Sequence, residues 1–159
     1  MHLRKARSDD LAFLWDLRNQ PSVRANFFND DVVAWEAHSK WFKEKIVDKN
    51  CLLLIAEHDG ARVGQVRFDV KAGESSAEVS MAVSEARRGQ GYGTAMLKSA
   101  CPQAFAELGV TKLVAHIKPD NNASLAAFGK AGFALKGQVD YQARVCLEMV
   151  LEKPAVTNH

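Results

Sequence analysis

The chain has 159 residues with a formal net charge of +2, and apolar side chains make up 47% of it. This length predicts one domain over residues 1–153 with a short tail at 154–159, and the composition excludes disordered and fibrous proteins. The near balance of 21 basic and 19 acidic residues argues against a nucleic acid or a membrane as the partner.

The first third of the chain is predicted to form a strand and two helices around a loop. Ser8 and the pair Asp9–Asp10 are typical of a helix N-terminus, and Pro21 is expected to end that helix. The second helix is expected to bury Trp41 and Phe42 in the core. The predicted elements are a strand over 1–6, a helix from about 8 to 19, a loop or short helix over 22–32, and a helix over about 34–47.

The remaining chain is predicted to form a three-stranded meander followed by alternating helices and strands. Asp59-Gly60 is a strong hairpin signal, and Gly109 and Gly132 are expected to end helices. Pro102 falls inside a predicted helix, which indicates a kink or a split there. The predicted elements are strands over 51–58, 61–70 and 77–84, a helix over about 91–108, a strand over 112–117, a helix over about 123–131, and two strands within 134–153.

The spacing of the cysteines and the sequence of the N-terminus indicate the cellular compartment of the protein. The three cysteines are widely spaced and form no CxxC pair, so neither a disulfide framework nor a metal site is predicted. Reduced thiols suit a cytoplasmic protein, and the charged start MHLRKARSDD lacks the apolar segment of a secretory signal. We expect a cytoplasmic protein without a metal, as a monomer or a homodimer.

The strongest chemical signal is the turn Arg87-Arg88-Gly89-Gln90-Gly91-Tyr92-Gly93-Thr94, which follows a predicted strand and opens a predicted helix. Free amides at a helix N-terminus, glycines that allow close approach and two arginines together predict a phosphate or pyrophosphate site. The string is neither a P-loop nor a dinucleotide fingerprint, because it lacks GxxxxGK[ST] and GxGxxG. A plain helix start with glycines for turning is the alternative.

Two motifs resemble those of the GCN5-related N-acetyltransferase (GNAT) superfamily. Arg88-x-x-Gly91-x-Gly93 resembles its motif A, and N-x-x-S-x-x-x-F-x-K-x-G-F over 121–133 resembles its motif B. The resemblance covers about residues 3 to 150. It implies an α/β fold with a mixed, twisted sheet of about six to seven strands, splayed central strands and about four flanking helices.

The resemblance also implies that acetyl-CoA binds where two parallel strands, 78–84 and 112–117, splay apart. Ser124 is expected to cap its helix or to contact the cofactor. The implied cofactor contacts are the backbone of Met81 and Val83, the turn residues Arg88, Gly89, Gln90, Gly91, Tyr92, Gly93 and Thr94, and the side chains of Asn121, Ser124, Phe128 and Lys130.

The implied chemistry is attack of an amine on a thioester, which calls for a base because amines are mostly protonated at neutral pH. Glu78 is the first candidate, with an exposed strand-end carboxylate as the alternative; His116 is the second, with a structural histidine as the alternative. Many relatives have a tyrosine where this chain has Phe128, so Tyr141 or water would protonate the thiolate, if any group does. An amide near Met81 would stabilise the oxyanion.

The N-terminal segment resembles acetyltransferases that act on UDP-4-amino sugars in nonulosonate pathways, through the strings LRN, FFND and WEAHSKWF. The implied acceptor contacts are Arg18, Asn19, Arg24, Phe28, Asn29, Gln65 and Arg67. The alternative is that these residues are ordinary helix and loop surface positions. A protein N-terminus or another small amine is the alternative acceptor, and a CoA-binding sensor without turnover is the alternative function.

Overall fold

The computed structural model describes residues 1–155, so the last four residues of the predicted tail lie outside the described part. Short 3-10 turns occur at Ser8–Asp10 and Glu85–Arg87. The strands are β1 (His2–Lys5), β2 (Cys51–His58), β3 (Ala61–Val70), β4 (Ser76–Val83), β5 (Lys112–Ile117), β6 (Ala134–Tyr141) and β7 (Arg144–Glu152). The helices are α1 (Leu11–Asn19), α2 (Pro21–Arg24), α3 (Trp35–Lys45), α4 (Tyr92–Leu108) and α5 (Asn122–Lys130).

The described strands form one sheet in the order β1-β2-β3-β4-β5-β7-β6. This confirms the expected mixed sheet of six to seven strands. The described helices number five rather than about four, because part of the predicted loop or short helix folds as α2, with proline at its first turn. Within the described part of the chain, no helix has the length and apolar character needed to cross a membrane.

The central strands diverge, as the resemblance implied. β4 and β5 run parallel and pair only from Ser76–Glu78 to Lys112–Val114. Beyond Glu78 the strand β4 continues to Val83 while paired with β3 alone, and β5 continues beside β7. The facing edges of β4 and β5 therefore leave backbone groups that another extended molecule can pair with.

The main core lies where α4 and α5 pack on the sheet, and a smaller cluster lies between the sheet and α1 and α3. Phe42 is buried in the smaller cluster, as predicted, with 1% of its surface exposed. Trp41 is only partly buried at the edge of that cluster, with the guanidinium of Arg67 over its ring at 5.0 Å. Trp41 therefore packs against the core, as predicted, but is not fully buried in it.

Pro102 does not split its helix. α4 runs without interruption from Tyr92 to Leu108 with Pro102 inside it. Pro102 and Lys98, whose carbonyl loses its helical partner, are both exposed. Water can hydrate that carbonyl, so the proline is tolerated where a buried one would break the helix.

A buried carboxylate fastens the start of α1 to the sheet. Asp10 is fully buried and accepts hydrogen bonds from Arg4 at 2.7 and 2.8 Å, from Arg62 at 2.8 Å and from the Arg7 amide at 2.8 Å. No side chain caps α1 itself, so the predicted capping role is replaced by an ion-pair network. Burial raises the pKa of Asp10, but the guanidinium of Arg4, the Arg7 amide and Arg62 outweigh it and hold the pKa at about 2.

We expect Asp10→Asn to lower the free energy of unfolding at neutral pH by about 2 kcal/mol, because hydrogen bonds to a charged group contribute about 1.5–3 kcal/mol. The depressed pKa means that the wild-type contribution is present above the pKa of an unfolded aspartate, about 3.9, and is lost as the pH falls toward about 2. Urea unfolding across this range measures both effects. Asp9→Asn, at an exposed neighbouring position, is the control. An equal loss of the free energy of unfolding in both variants would contradict a stabilising role of the ion-pair network around Asp10.

Candidate active site

A cleft of about 570 Å³ opens where β4 and β5 separate. Its walls are Val79–Val83 of β4, Ala115–Ile117 of β5, the N-terminus of α4 and one face of α5. Arg18 from α1, aromatic residues from the segment after α2 and Arg67 from β3, together with Tyr141 from β6, form the remaining end. All three predicted catalytic residues and twelve of the thirteen predicted cofactor residues line this cleft; Gln90 is exposed outside it.

The glycine turn forms one end of the cleft. Gly89 and Gly91 have φ values of 75° and 79°, a region that favours glycine. Gly91 is the N-cap of α4 and has no side chain to occupy the first amides of the helix. A Cβ on Gly93 would lie 3.2 Å from Met81 Cε, so glycine also lets α4 approach β4 closely. With Arg88 beside these amides, this end suits an anionic group.

The opposite wall is the start of α5. Asn121 is the N-cap: its side-chain oxygen accepts from the Ser124 amide at 3.2 Å, and its amide donates to Ser124 Oγ at 3.0 Å. The alternative of Ser124 as the cap was therefore wrong, since Asn121 has that role. Phe128 is 3% exposed and packs edge-on against Phe133, while Lys130 is exposed at the cleft wall.

Three titratable side chains meet where the strands begin to separate. The Tyr141 hydroxyl donates to Glu78 Oε1 at 2.6 Å, and its ring stacks on His116 with 4.3 Å between centroids. His116 Nδ1 lies 3.7 Å from the same Glu78 oxygen, which is too far for a hydrogen bond but close enough for electrostatic interaction. Phe28 packs edge-on against Tyr141 at 4.9 Å. The predicted candidates thus form one contact group.

The environment sets the protonation of this group. Burial raises the pKa of Glu78, but His116 and the hydrogen bond from Tyr141 outweigh it, so the pKa lies below its ordinary value. Burial and the contact with Glu78 raise the pKa of Tyr141 to about 12. At neutral pH the site therefore holds a carboxylate that can accept a proton beside a phenol that keeps its own.

Glu78 and Tyr141 both direct their side chains toward the cleft. The Glu78 side chain is 28% exposed and faces the cleft, so it is not a free strand-end carboxylate. Tyr141 lies at the end of the edge strand β6, but its side chain reaches across to β4. Both side chains are placed to meet a ligand.

The end of the cleft lined by Arg18, Phe27, Phe28, Asn29 and Arg67, called the acceptor end below, is basic and aromatic. The Arg18 guanidinium lies 3.9 Å from the centre of the Phe27 ring and donates to the Asn29 carbonyl at 2.6 Å. Its Nη1 is buried without a hydrogen-bond partner, and no carboxylate within residues 1–155 forms a salt bridge with it. Burial and the nearby Arg67 lower the pKa of Arg18. Arg67 also lines the cleft but donates to Asp69 at 2.8 Å.

Three residues predicted to contact the acceptor lie outside the cleft. The Asn19 amide exchanges hydrogen bonds with the Val33 backbone at 2.8 and 3.0 Å, so it holds the segment between α2 and α3. Arg24 donates to the Asn19 carbonyl at 3.4 Å. Gln65 is 6% exposed and does not line the cleft. Arg18, Phe28, Asn29 and Arg67 do line the cleft.

Sequence reasoning missed Glu148, which lies directly opposite His116 in the pairing of β5 with β7. Its Oε2 is 3.2 Å from His116 Nε2. The pattern of β7 predicts a strand but does not say which residue of β5 stands opposite, because that register is set by distant strands. No local signal identified this contact.

Known proteins match the chain in sequence and fold. A family model described as "Acetyltransferase (GNAT) domain" matches residues 1–134. The spermidine N(1)-acetyltransferase of Escherichia coli strain K12 is 25% identical over 141 residues, which cover 88% of this chain and 76% of that protein. A Vibrio cholerae spermidine N-acetyltransferase structure with CoA and spermine shares the fold at TM-score 0.85 and 18% identity, over 96% and 95% of the chains. A Brucella melitensis ribosomal-protein-alanine N-acetyltransferase gives TM-score 0.80 and 26% identity, over 96% and 99%.

Proposed function

The chain belongs to the acetyltransferase (GNAT) family, and we propose that this acetyl-CoA-dependent N-acetyltransferase acts on the primary amine of a small molecule. The observation that carries the proposal is the contact of Tyr141 with Glu78 inside the cleft, beside the point where β4 and β5 separate. A CoA sensor without turnover is set aside, because the family is one of enzymes.

The cleft fits the cofactor of this family. The amides of Tyr92–Thr94 and the side chain of Arg88 would hold the pyrophosphate, since both present positive charge at a helix N-terminus. The free edge of Met81 and Val83 would pair with the amides of the pantetheine arm. Acetyl-CoA, when bound, supplies the acetyl group as a thioester.

The residues beside Glu78 would handle the proton of the acceptor amine. Glu78 would accept that proton, because its lowered pKa keeps it a carboxylate at neutral pH. The Met81 amide would donate to the thioester carbonyl oxygen, where negative charge develops. Holding amine and thioester together in the cleft would supply much of the remaining rate enhancement.

Tyr141 is better suited to orient Glu78 than to protonate the leaving thiolate. Its pKa of about 12 makes it a weak acid beside a thiol that resembles free cysteine, with a pKa of about 8.5. Its hydroxyl proton already points to Glu78. We infer that the thiolate leaves without a dedicated acid, which agrees with Phe128 at the position where many relatives have tyrosine.

A small-molecule acceptor is supported by the relatives whose printed names mention spermidine. A protein N-terminus, in the printed name of the Brucella melitensis structure, is less well supported, because the acceptor end is basic and aromatic rather than acidic. Polyamines are cations, and Arg18 and Arg67 would repel them. The relatives therefore support the class of acceptor but not its charge.

A UDP-4-amino sugar is the second candidate within that class. The specific observation in its favour is Arg18, a guanidinium with a buried, unpartnered nitrogen that lies over the Phe27 ring. A diphosphate would satisfy this cation, and Phe28 offers a face for the uracil ring. Asn29 lines the same end and offers polar groups to sugar hydroxyls.

We expect Arg18→Gln to lower kcat/KM for the UDP-4-amino sugar by about 10–100-fold, the equivalent of one lost charge-assisted hydrogen bond. The same variant should leave kcat/KM for spermidine unchanged or higher, and should leave KM for acetyl-CoA unchanged. Arg24→Gln is the matched control, because Arg24 lies on the neighbouring helix outside the cleft.

The measurement is thiol release and acetyl gain by mass spectrometry with the UDP-4-amino sugar, spermidine, an aminoglycoside and an alanyl peptide. Efficient acetylation of spermidine with no acetylation of the UDP-4-amino sugar would contradict the sugar nucleotide and keep the small-molecule amine. Acetylation of the peptide alone would contradict both.

A further inference from the structure

His116 lies between two carboxylates and beneath an aromatic ring. Its Nε2 is 3.2 Å from Glu148 Oε2, and its Nδ1 is 3.7 Å from Glu78 Oε1. The Tyr141 ring covers one face of the imidazole at an angle of 15°. Only 5% of the His116 side chain is exposed, so these neighbours rather than bulk water determine where its protons sit.

The chemistry of a carboxylate decides which ring nitrogen carries hydrogen. An ionised carboxylate only accepts hydrogen bonds, so the nitrogen beside Glu148 must be Nε2–H. In the neutral ring Nδ1 then holds the lone pair. Nδ1 is buried and has no hydrogen-bond partner within residues 1–155. A lone pair therefore faces the Glu78 carboxylate, and a proton placed between them would satisfy both groups.

We propose that Glu148 is a positioning residue, which holds His116 with the Nδ1 lone pair toward Glu78 so that His116 receives the proton removed from the acceptor. The proposal rests on the amine acetylation proposed above. One N–H bond of the amine breaks, the electron pair stays on nitrogen for attack, and the proton passes through Glu78 Oε1 to Nδ1. Glu78 is a carboxylate again, and the imidazolium lies between two negative charges.

The surroundings explain why a second site for the proton is useful. The lowered pKa of Glu78 means that a proton does not remain there at neutral pH. The titratable groups facing His116 are Glu78 from β4, Tyr141 from β6 and Glu148 from β7, with the buried Cys146 thiol also on β7. Tyr141 keeps its own proton, so His116 is the free acceptor among them.

The test compares Glu148→Gln with Glu152→Gln, an exposed carboxylate on the same strand, in the full chain. Nitrogen NMR of the histidine side chains, assigned with His116→Asn, should show His116 as the Nε2–H tautomer in the wild type. Glu148→Gln should give a mixture, because a glutamine amide both accepts and donates. Glu152→Gln should leave the tautomer unchanged.

The second readout is the pH profile of kcat with the best acceptor of the panel above. Glu148→Gln removes one of the two carboxylates that face the His116 ring, so the pH profile of kcat should change in this variant and not in Glu152→Gln. The plateau value of kcat should fall about tenfold, because His116 is no longer held in one orientation. This loss is smaller than the 10²–10⁴-fold loss expected when a general base itself is removed. KM for acetyl-CoA should not change.

A wild-type His116 in the Nδ1–H tautomer would overturn the proposal without any variant being needed. A tautomer and pH profile that are unchanged in Glu148→Gln would also overturn it. The tautomer measurement needs no acceptor, so failure to acetylate any amine would reject the proposed function while leaving this proposal to the NMR result.

Discussion

Glu78→Gln should lower kcat by about 10³-fold, within the range of 10²–10⁴ for removal of a general base. Glutamine cannot take a proton from the acceptor, but its carbonyl oxygen can still accept the hydrogen bond that Tyr141 donates at 2.6 Å. The cleft should therefore keep its shape, and KM for acetyl-CoA should stay near the wild-type value. Kinetics with the acceptor panel and calorimetric titration with acetyl-CoA measure the two quantities.

The defect of Glu78→Gln should also shrink as the pH rises. An acceptor amine loses its proton to solvent at high pH, and the need for a base then falls. Glu74→Gln is the control, since Glu74 is exposed in the turn that precedes β4 and lies outside the cleft. A loss that is the same at every pH, or one that Glu74→Gln shares, would contradict the role of Glu78 as a base.

Gly91→Val should weaken acetyl-CoA binding by about 100-fold, or about 3 kcal/mol, the value of one or two lost hydrogen bonds to a charged group. Gly91 has a φ of 79°, which a β-branched residue avoids, so the turn must change its path. The amides at the start of α4 would then no longer converge on one anionic group.

Gly109→Val is the matched control for that variant. Gly109 has a φ of 67° at the other end of α4 and does not line the cleft. Both variants should lose similar stability, because both force a branched residue into a left-handed conformation at about 1–3 kcal/mol. Calorimetry with acetyl-CoA separates them: equal loss of affinity in both variants would show that the effect is one of stability and not of the binding turn.

Local signals in the sequence predicted most of the fold. The hairpin at Asp59-Gly60, the helix ends at Gly109 and Gly132, and the glycine turn before α4 were all correct, because each depends on a backbone conformation that few residues other than glycine and aspartate adopt. Twelve of the thirteen predicted cofactor residues line one cleft.

Contacts between distant elements could not be predicted in this way. The position of Glu148 opposite His116 depends on the register of β5 with β7, and Gln65 and Arg24 lie outside the cleft because of how α1–α3 pack on the sheet. The alternative that Pro102 splits its helix was wrong because exposure of that turn, a tertiary property, decides whether water can replace the lost hydrogen bond.

On the proposed function, the charge of the acceptor end would distinguish this chain's acceptor from the spermidine in its relatives' names. Spermidine is a cation, whereas the unpartnered nitrogen of Arg18 and the nearby Arg67 would favour an acceptor that carries an anion. Shared fold and family therefore establish the chemistry of transfer, while a few side chains on α1 and β3 would decide which amine is acetylated.

The most direct test of the account is the acetylation reaction itself, followed by mass spectrometry with acetyl-CoA and the four acceptors, in the wild type beside Glu78→Gln. The account predicts that the wild type adds one acetyl group to the primary amine of a small molecule and that Glu78→Gln does so far more slowly. Acetylation of only the alanyl peptide, or transfer that does not depend on Glu78, would contradict it.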